Sequence, residues 1–138
     1  MIRGALRGET LTVYGEGAFA RDYIFVDDVV KAFLVAGARA DLLSGNYYLI
    51  GSGTETRFVD AVNLVADRVL LMKGYRPSVA HVAPPEAQLA IEERDFVANT
   101  GRFRKATGWT PLVSLVEGID QTADYYLAES TEFHETRR

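Results

Sequence analysis

Apolar positions along this chain switch between two periods, and the switches outline its elements. Thr10-Leu11-Thr12-Val13-Tyr14 is β-branched and aromatic and ends at Gly15, which predicts a strand. Arg21 to Val26 reads the same way, after a short glycine-containing loop from Gly15 to Ala20. Asp27 and Asp28 stand where they could cap a helix running to about Ala38. Its residues Val30, Phe33, Leu34 and Ala38 recur at the spacing of a buried helix face. Asn46 to Ile50 predicts a third strand. It is apolar throughout its second half, as a strand covered on both faces would be, and it ends at Gly51-Ser52-Gly53.

The second half of the chain carries clearer stop and start signals. Thr56 can cap a helix over 57–73 in which Phe58, Val62, Val65 and Val69 form one stripe, and Gly74 is placed to stop it. Ser78 to Val82 reads as a short strand, and Pro84-Pro85 breaks the chain. A short helix is expected from Thr100 to Thr107, stopped by Gly108. Ser114-Leu115-Val116-Glu117 is a capping box, so a helix should start there and run to about Glu129 with Leu115, Ile119 and Tyr126 on one side. The stretch 130–138 reads as a polar, frayed tail. Strands alternating with helices give an α/β class: a small mixed sheet with packed helices, in one domain over 1–129. So few strands would leave a parallel sheet with a poorly covered face.

Composition narrows the class. The 138 residues suffice for one domain, and 48% hydrophobic with 25% charged is a globular balance, which excludes disordered and collagenous chains. The absence of cysteine excludes zinc ribbons, redox pairs and thiol nucleophiles. A net charge of -4 argues against a partner bound through its phosphate backbone, so no nucleic acid is expected. No apolar run reaches the roughly 18 residues that cross a bilayer, and Met1 to Gly4 lacks a signal-peptide core, so the expectation is a cytoplasmic protein without membrane contact.

The candidate chemistry centres on Arg21 and Tyr23. In a strand these positions share a face, and a guanidinium fork beside a tyrosine ring suits a phosphate with an attached sugar or base. The competing reading is a surface arginine paired with Asp22 or Asp28 next to a core tyrosine. Gly51-Ser52-Gly53 follows a strand and precedes a helix, as a phosphate loop does. It lacks both the third glycine and the lysine, which favours a tight turn. Asp27 and Asp28 read as a helix cap rather than a metal pair. His81 and His134 have no second ligand at metal spacing, and no Gly-x-Ser-x-Gly elbow is present. Tyr47-Tyr48 and Tyr125-Tyr126 are best explained by packing. Arg102, Arg104 and Lys105 read as a solvated basic face.

With these residues in view, the chain resembles the C-terminal, substrate-binding part of the NAD-dependent epimerase/dehydratase family, the extended short-chain dehydrogenase/reductases that act on nucleotide-diphosphate sugars. Three landmarks occur in the family's order: Leu11 to Gly17 with Arg21 to Val30; Tyr47 to Gly53; and Asp95 to Asn99, through Gly108 to Pro111, to Ser114–Gly118 and Tyr125-Tyr126. The UDP-glucose 4-epimerase-like branch fits best, through Arg21-Asp22-Tyr23-Ile24. The resemblance implies that Arg21 grips the diphosphate and Tyr23 lies against the nucleotide or its ribose. It implies that Thr12, Val13 and Tyr14 offer backbone to the base edge and that Phe58 contacts the nucleotide more loosely.

It also implies what this chain does not supply. Lys31, Lys73 and Lys105 follow Asp27, Val69 and Gly101 at four residues' distance, so there is no Tyr-x-x-x-Lys pair, and no glycine-rich dinucleotide loop is present. A complete member binds NAD; none is expected in this chain, no catalytic residue or metal site is assigned, and activity alone is not expected. Where many members carry a second phosphate-binding arginine this chain has Pro85 and Glu86, which leaves Arg94 or Arg76 as substitutes. Without the Rossmann half, apolar faces would be open, so the expected partner is a copy of the chain or a separate N-terminal half. The alternatives are a stand-alone nucleotide-sugar module and a self-associating remnant without a specific ligand.

Overall fold

The computed structural model describes residues 1–84 and 94–135. A short helix α1 (Ile2–Ala5) leads into strand β1 (Leu11–Tyr14). Burial alternates along β1, with Leu11 and Val13 inward and Thr12 and Tyr14 outward. β1 pairs in parallel with β4 (Val79–Val82), Leu11 opposite Val79 and Tyr14 opposite Val82. Helix α4 (Phe58–Lys73) packs on this ladder through Val62, Val65, Ala66 and Val69, and Ile119 of helix α6 (Leu115–Glu135) closes the cluster. This is the stripe that the sequence periodicity predicts, with Phe58 partly buried at its edge. Gly74 ends α4 with φ 77°, the left-handed conformation that glycine adopts without penalty.

The capping box forms as expected. The Ser114 amide donates to Glu117 Oε2 at 2.9 Å, and the Glu117 amide donates to Ser114 Oγ at 3.2 Å. The Ser114 hydroxyl first, and then the Ser114 amide, donate to the Glu117 carboxyl and hold its pKa below the usual value. α6 continues to Glu135, beyond the end expected at Glu129. A bidentate pair, Arg68 Nε to Asp120 Oδ1 and Arg68 Nη2 to Asp120 Oδ2, each 2.7 Å, fixes α4 against α6.

A second, smaller cluster gathers Ala32 of helix α2 (Val26–Ala38), Leu43 of helix α3 (Ala40–Leu43), Phe103 of helix α5 (Gly101–Thr107) and Trp109. Gly108 stops α5 in the left-handed region, as its position predicts. The Phe103 ring lies 5.5 Å from Trp109 and 5.8 Å from Tyr48, edge-on or tilted, the arrangement aromatic quadrupoles favour.

Several elements differ from the sequence expectation. The strand predicted over 21–26 shrinks to β2 (Ala20–Arg21), antiparallel to β3 (Thr56–Arg57). β3 offers two residues for pairing, and from Asp22 onward the chain turns its side chains to other partners. The α/β class with parallel and antiparallel pairing and packed helices holds, and the described strands divide that pairing between two small ladders, one parallel and one antiparallel. Thr56 belongs to β3, and α4 is capped by Arg57 without a side-chain bond. The segment 46–50 keeps a strand's alternation, with Tyr48 and Ile50 packed inward and Tyr47 and Leu49 exposed, but among the described residues it pairs with no strand. α2 is capped by Phe25, again without a side-chain bond, so Asp27 and Asp28 are not its cap. Its predicted buried face is outermost: Val30, Phe33 and Leu34 are 50%, 66% and 68% exposed, while Asp28 and Ala32 are buried. No helix among the described residues is long and apolar enough to cross a membrane.

Candidate functional site

Asp22 explains why β2 stops where it does. Its Oδ1 accepts from the Ser52 amide at 2.7 Å and the Ser52 hydroxyl at 2.6 Å. Its Oδ2 accepts from the amides of Gly53 and Ala98, each at 3.0 Å. Gly51 lets the backbone come this close: a Cβ there would sit 2.5 Å from both Asp22 Oδ2 and the Ala98 methyl. Partial burial pushes the Asp22 carboxyl up, but the Ser52 hydroxyl and the amides of Gly53, Ser52 and Ala98 outweigh it and hold the pKa below the ordinary 3.8. A depressed carboxylate contributes stability that is present above the unfolded-state value and is lost as pH falls through the folded one. Unfolding midpoints followed from pH 5 downward should therefore fall more steeply for the wild type than for Asp22→Asn. Equal slopes would remove Asp22 as a source of acid sensitivity.

The neighbours of Asp22 in sequence form the candidate site. Arg21 Nη1 donates to the carbonyls of Ala20 and Arg94, and the guanidinium lies 4.3 Å from the Phe19 ring centre. Phe19 in turn stacks on Phe58 at 5.3 Å. The Ala20 amide donates to Asp95 Oδ1 at 2.7 Å and the Phe96 amide to the Ala20 carbonyl at 3.1 Å, so the 95–98 segment braces β2 on the side away from β3. Tyr23 is half-buried. Burial raises its phenol pKa, and the Arg21 charge partly offsets that rise, which places Arg21 within electrostatic reach of the phenol.

β1 adds a polar edge to these side chains. The Leu11 amide donates to Ser78 O at 2.8 Å and the Gly15 amide to Val82 O at 2.9 Å. By the alternation of a strand, Val13 also spends its peptide groups on β4, while those of Thr12 and Tyr14 face the opposite edge. No strand among the described residues pairs with that edge. Thr12 and Phe58 line one cavity of about 510 Å³ together with Arg3, Arg7 and Glu9. Tyr14 and Phe19 line another of about 290 Å³, together with Pro84. Tyr23 lines a third of about 340 Å³ with Ser52, Thr54, Thr56 and the 111–115 segment.

The sequence candidates are thus spread over three cavities, Thr12 and Phe58 on the first, Tyr14 on the second and Tyr23 on the third. Arg21, Phe19 and Phe58 form one stacked column between the first two cavities. Val13 is fully buried and its peptide groups are spent in the ladder, so it offers a ligand nothing. Arg94 is exposed, and its carbonyl holds Arg21. Arg76 is engaged by Asp67 at 2.7 Å and Asn63 at 2.9 Å on the α4 side, so it does not substitute for a missing phosphate ligand. Pro85 and Glu86 lie outside the described residues, as does the His134 side chain. Among the bonds described for Arg21, none goes to Asp22 or Asp28. His81 Nδ1 sits 2.7 Å from the Gly15 carbonyl, bracing the turn after β1. Arg102 is not simply solvated: it lies over Tyr47 and Tyr48 and donates to Asn46 Oδ1 at 3.1 Å. Tyr47 and Tyr125 are 77% and 65% exposed, so packing in the interior accounts only for Tyr48 and Tyr126, while Tyr47 lies under Arg102 and Tyr125 meets Tyr126 edge-on.

The residues that sequence reasoning missed are acids. Asp28 is fully buried, and its Oδ2 accepts from the amides of Leu112 and Val113, each at 2.9 Å. Lys31 Nζ approaches its other oxygen at 3.7 Å. Asp22 and Asp95 tie the Arg21 strand to two distant loops. The available signal was an acid embedded in an apolar run, where solvation is expensive unless donors converge on it.

Comparison with known proteins adds sequence and fold kinship. Residues 1–51 match the model of the NAD dependent epimerase/dehydratase family. A UDP-glucose 4-epimerase of Mycolicibacterium smegmatis is 36% identical over 125 residues, 91% of this chain and 37% of that protein. A dTDP-glucose 4,6-dehydratase of Xanthomonas campestris pv. campestris is 30% identical over 137 residues, 95% of this chain and 37% of that one. The solved UDP-glucose 4-epimerase of Thermotoga maritima, bound to UDP-glucose, superposes with a TM-score of 0.74 at 27% identity, covering 93% of this chain and 38% of that structure. The chain spans about 37% of the length of the curated relatives it matches.

Proposed function

Because the chain matches the C-terminal part of the NAD-dependent epimerase/dehydratase family in sequence and fold, we propose that it is the portion of such an enzyme that holds a nucleotide-diphosphate sugar. The observation that carries this reading is the Arg21 column: a guanidinium held by two backbone carbonyls and stacked on Phe19, which stacks on Phe58, within electrostatic reach of a half-buried tyrosine and beside a strand edge that no described strand pairs with. In this reading Arg21 meets the diphosphate. Tyr23 lies against the ribose. Thr12 and Tyr14 present peptide N–H and C=O groups to the edge of the base, and Phe58 borders the cavity that receives it. Hydride and proton transfer, and the NAD that complete members use, fall to the part of the enzyme that this chain does not span.

The same reading accounts for α2. Val26, Val30, Phe33 and Leu34 expose an apolar stripe, 50–68% accessible, of the kind that a missing layer covers. The remaining half of the enzyme, or a second copy of the chain, packs there. Calorimetric titration with UDP-glucose, dTDP-glucose and a GDP-sugar tests the binding claim. One of the three should bind more tightly than its free nucleoside, because the diphosphate contributes. If none binds at millimolar concentration, the reading fails.

A further inference from the structure

The turn that looks like a phosphate loop already holds an anion, and that anion belongs to the chain. Gly51-Ser52-Gly53 presents two successive amides, with Gly53 at φ 72° and a hydroxyl between them, which is the concave arrangement that binds phosphates and carboxylates elsewhere. The Ala98 amide completes the set from another segment. All four donors converge on the Asp22 carboxylate, and the space a side chain at position 51 would occupy is taken by it. We propose that Gly51-Ser52-Gly53 and Ala98 form a carboxylate-binding nest whose ligand is Asp22, and that Asp22 is thereby the residue that positions Arg21 and Tyr23.

Two consequences follow from the geometry. The nest is unavailable to a ligand phosphate, so an incoming diphosphate is left to Arg21. The carboxylate also joins three separated stretches of chain, at 22, 52–53 and 98, and the two candidate ligand contacts are its immediate neighbours in sequence. With the carboxylate anchored, the backbone at 21 and 23 is held against the glycine turn and the 95–98 brace. This positioning claim rests on the proposed nucleotide-sugar function; the nest itself does not.

The experiment is chemical rescue. Asp22→Ala removes the internal ligand and leaves a gap of its size. The variant should have a lower Tm than the wild type. Sodium formate should raise that Tm saturably, and sodium chloride at the same concentration should not. Affinity for UDP-glucose should fall in the variant and recover in parallel with formate. Asp22→Asn keeps the gap filled and should show no formate response. If the alanine variant is unfolded alone, recovery of its circular dichroism in formate supports the nest; no recovery, with Asp22→Asn folded, counts against it. Formate acting equally on the wild type and on both variants overturns the proposal. Undiminished UDP-glucose binding by Asp22→Ala overturns the positioning role. A wild type that binds no nucleotide sugar, beside a formate-rescued variant, instead sinks the functional reading and leaves the nest standing.

Discussion

Arg21→Ala should weaken nucleotide-sugar binding by roughly 10- to 150-fold, the equivalent of the about 1.5–3 kcal/mol that a hydrogen bond to a charged group contributes. The guanidinium is already oriented by the carbonyls of Ala20 and Arg94 and by the Phe19 ring, so little side-chain freedom remains to be lost on binding. Arg21→Lys should recover only part of the loss, because an ammonium supplies charge without the planar fork. Titration calorimetry reads the affinity, and circular dichroism confirms that each variant keeps its fold. An alanine variant that binds as tightly as the wild type would remove Arg21 from the diphosphate.

The second large effect is on stability. Asp28→Ala should cost about 2–6 kcal/mol, since the amides of Leu112 and Val113 would both lose their acceptor and each orphaned donor costs about 1–3 kcal/mol. Lys31 adds little, because its side chain is 51% exposed and the approach is 3.7 Å. Asp28→Asn keeps one oxygen for the two amides and should cost less. Urea unfolding measures both. A loss under about 1 kcal/mol for the alanine variant would mean that water replaces the carboxylate. The prediction also bears on function, because Asp28 holds the 111–115 segment that walls the Tyr23 cavity.

The exposed stripe on α2 shows where a helical period is not enough. The recurrence of Val30, Phe33 and Leu34 correctly gave a helix with an apolar face, but it could not say what the face meets. In the folded chain the small second cluster takes Ala32, and Asp28 reaches the loop before α6. The longer side chains on the other side of α2 are left outward. The segment 46–50 behaves alike: alternation is present in the residues, but a strand exists only when another backbone accepts and donates its hydrogen bonds.

What the sequence determined by itself is whatever its own neighbours enforce. β1 with its inward Leu11 and Val13, the α4 stripe, the glycine stops at Gly74 and Gly108, and the Ser114–Glu117 box all depend on contacts within a turn or a strand. Tertiary structure alone decided the roles of the acids. Asp22 finds Ser52 thirty positions away, and Asp28 finds Leu112 eighty-four positions away. A carboxylate's preference for a helix start is local and weak, whereas a set of converging amides in a partly dry setting is strong, and only the folded chain brings those amides together.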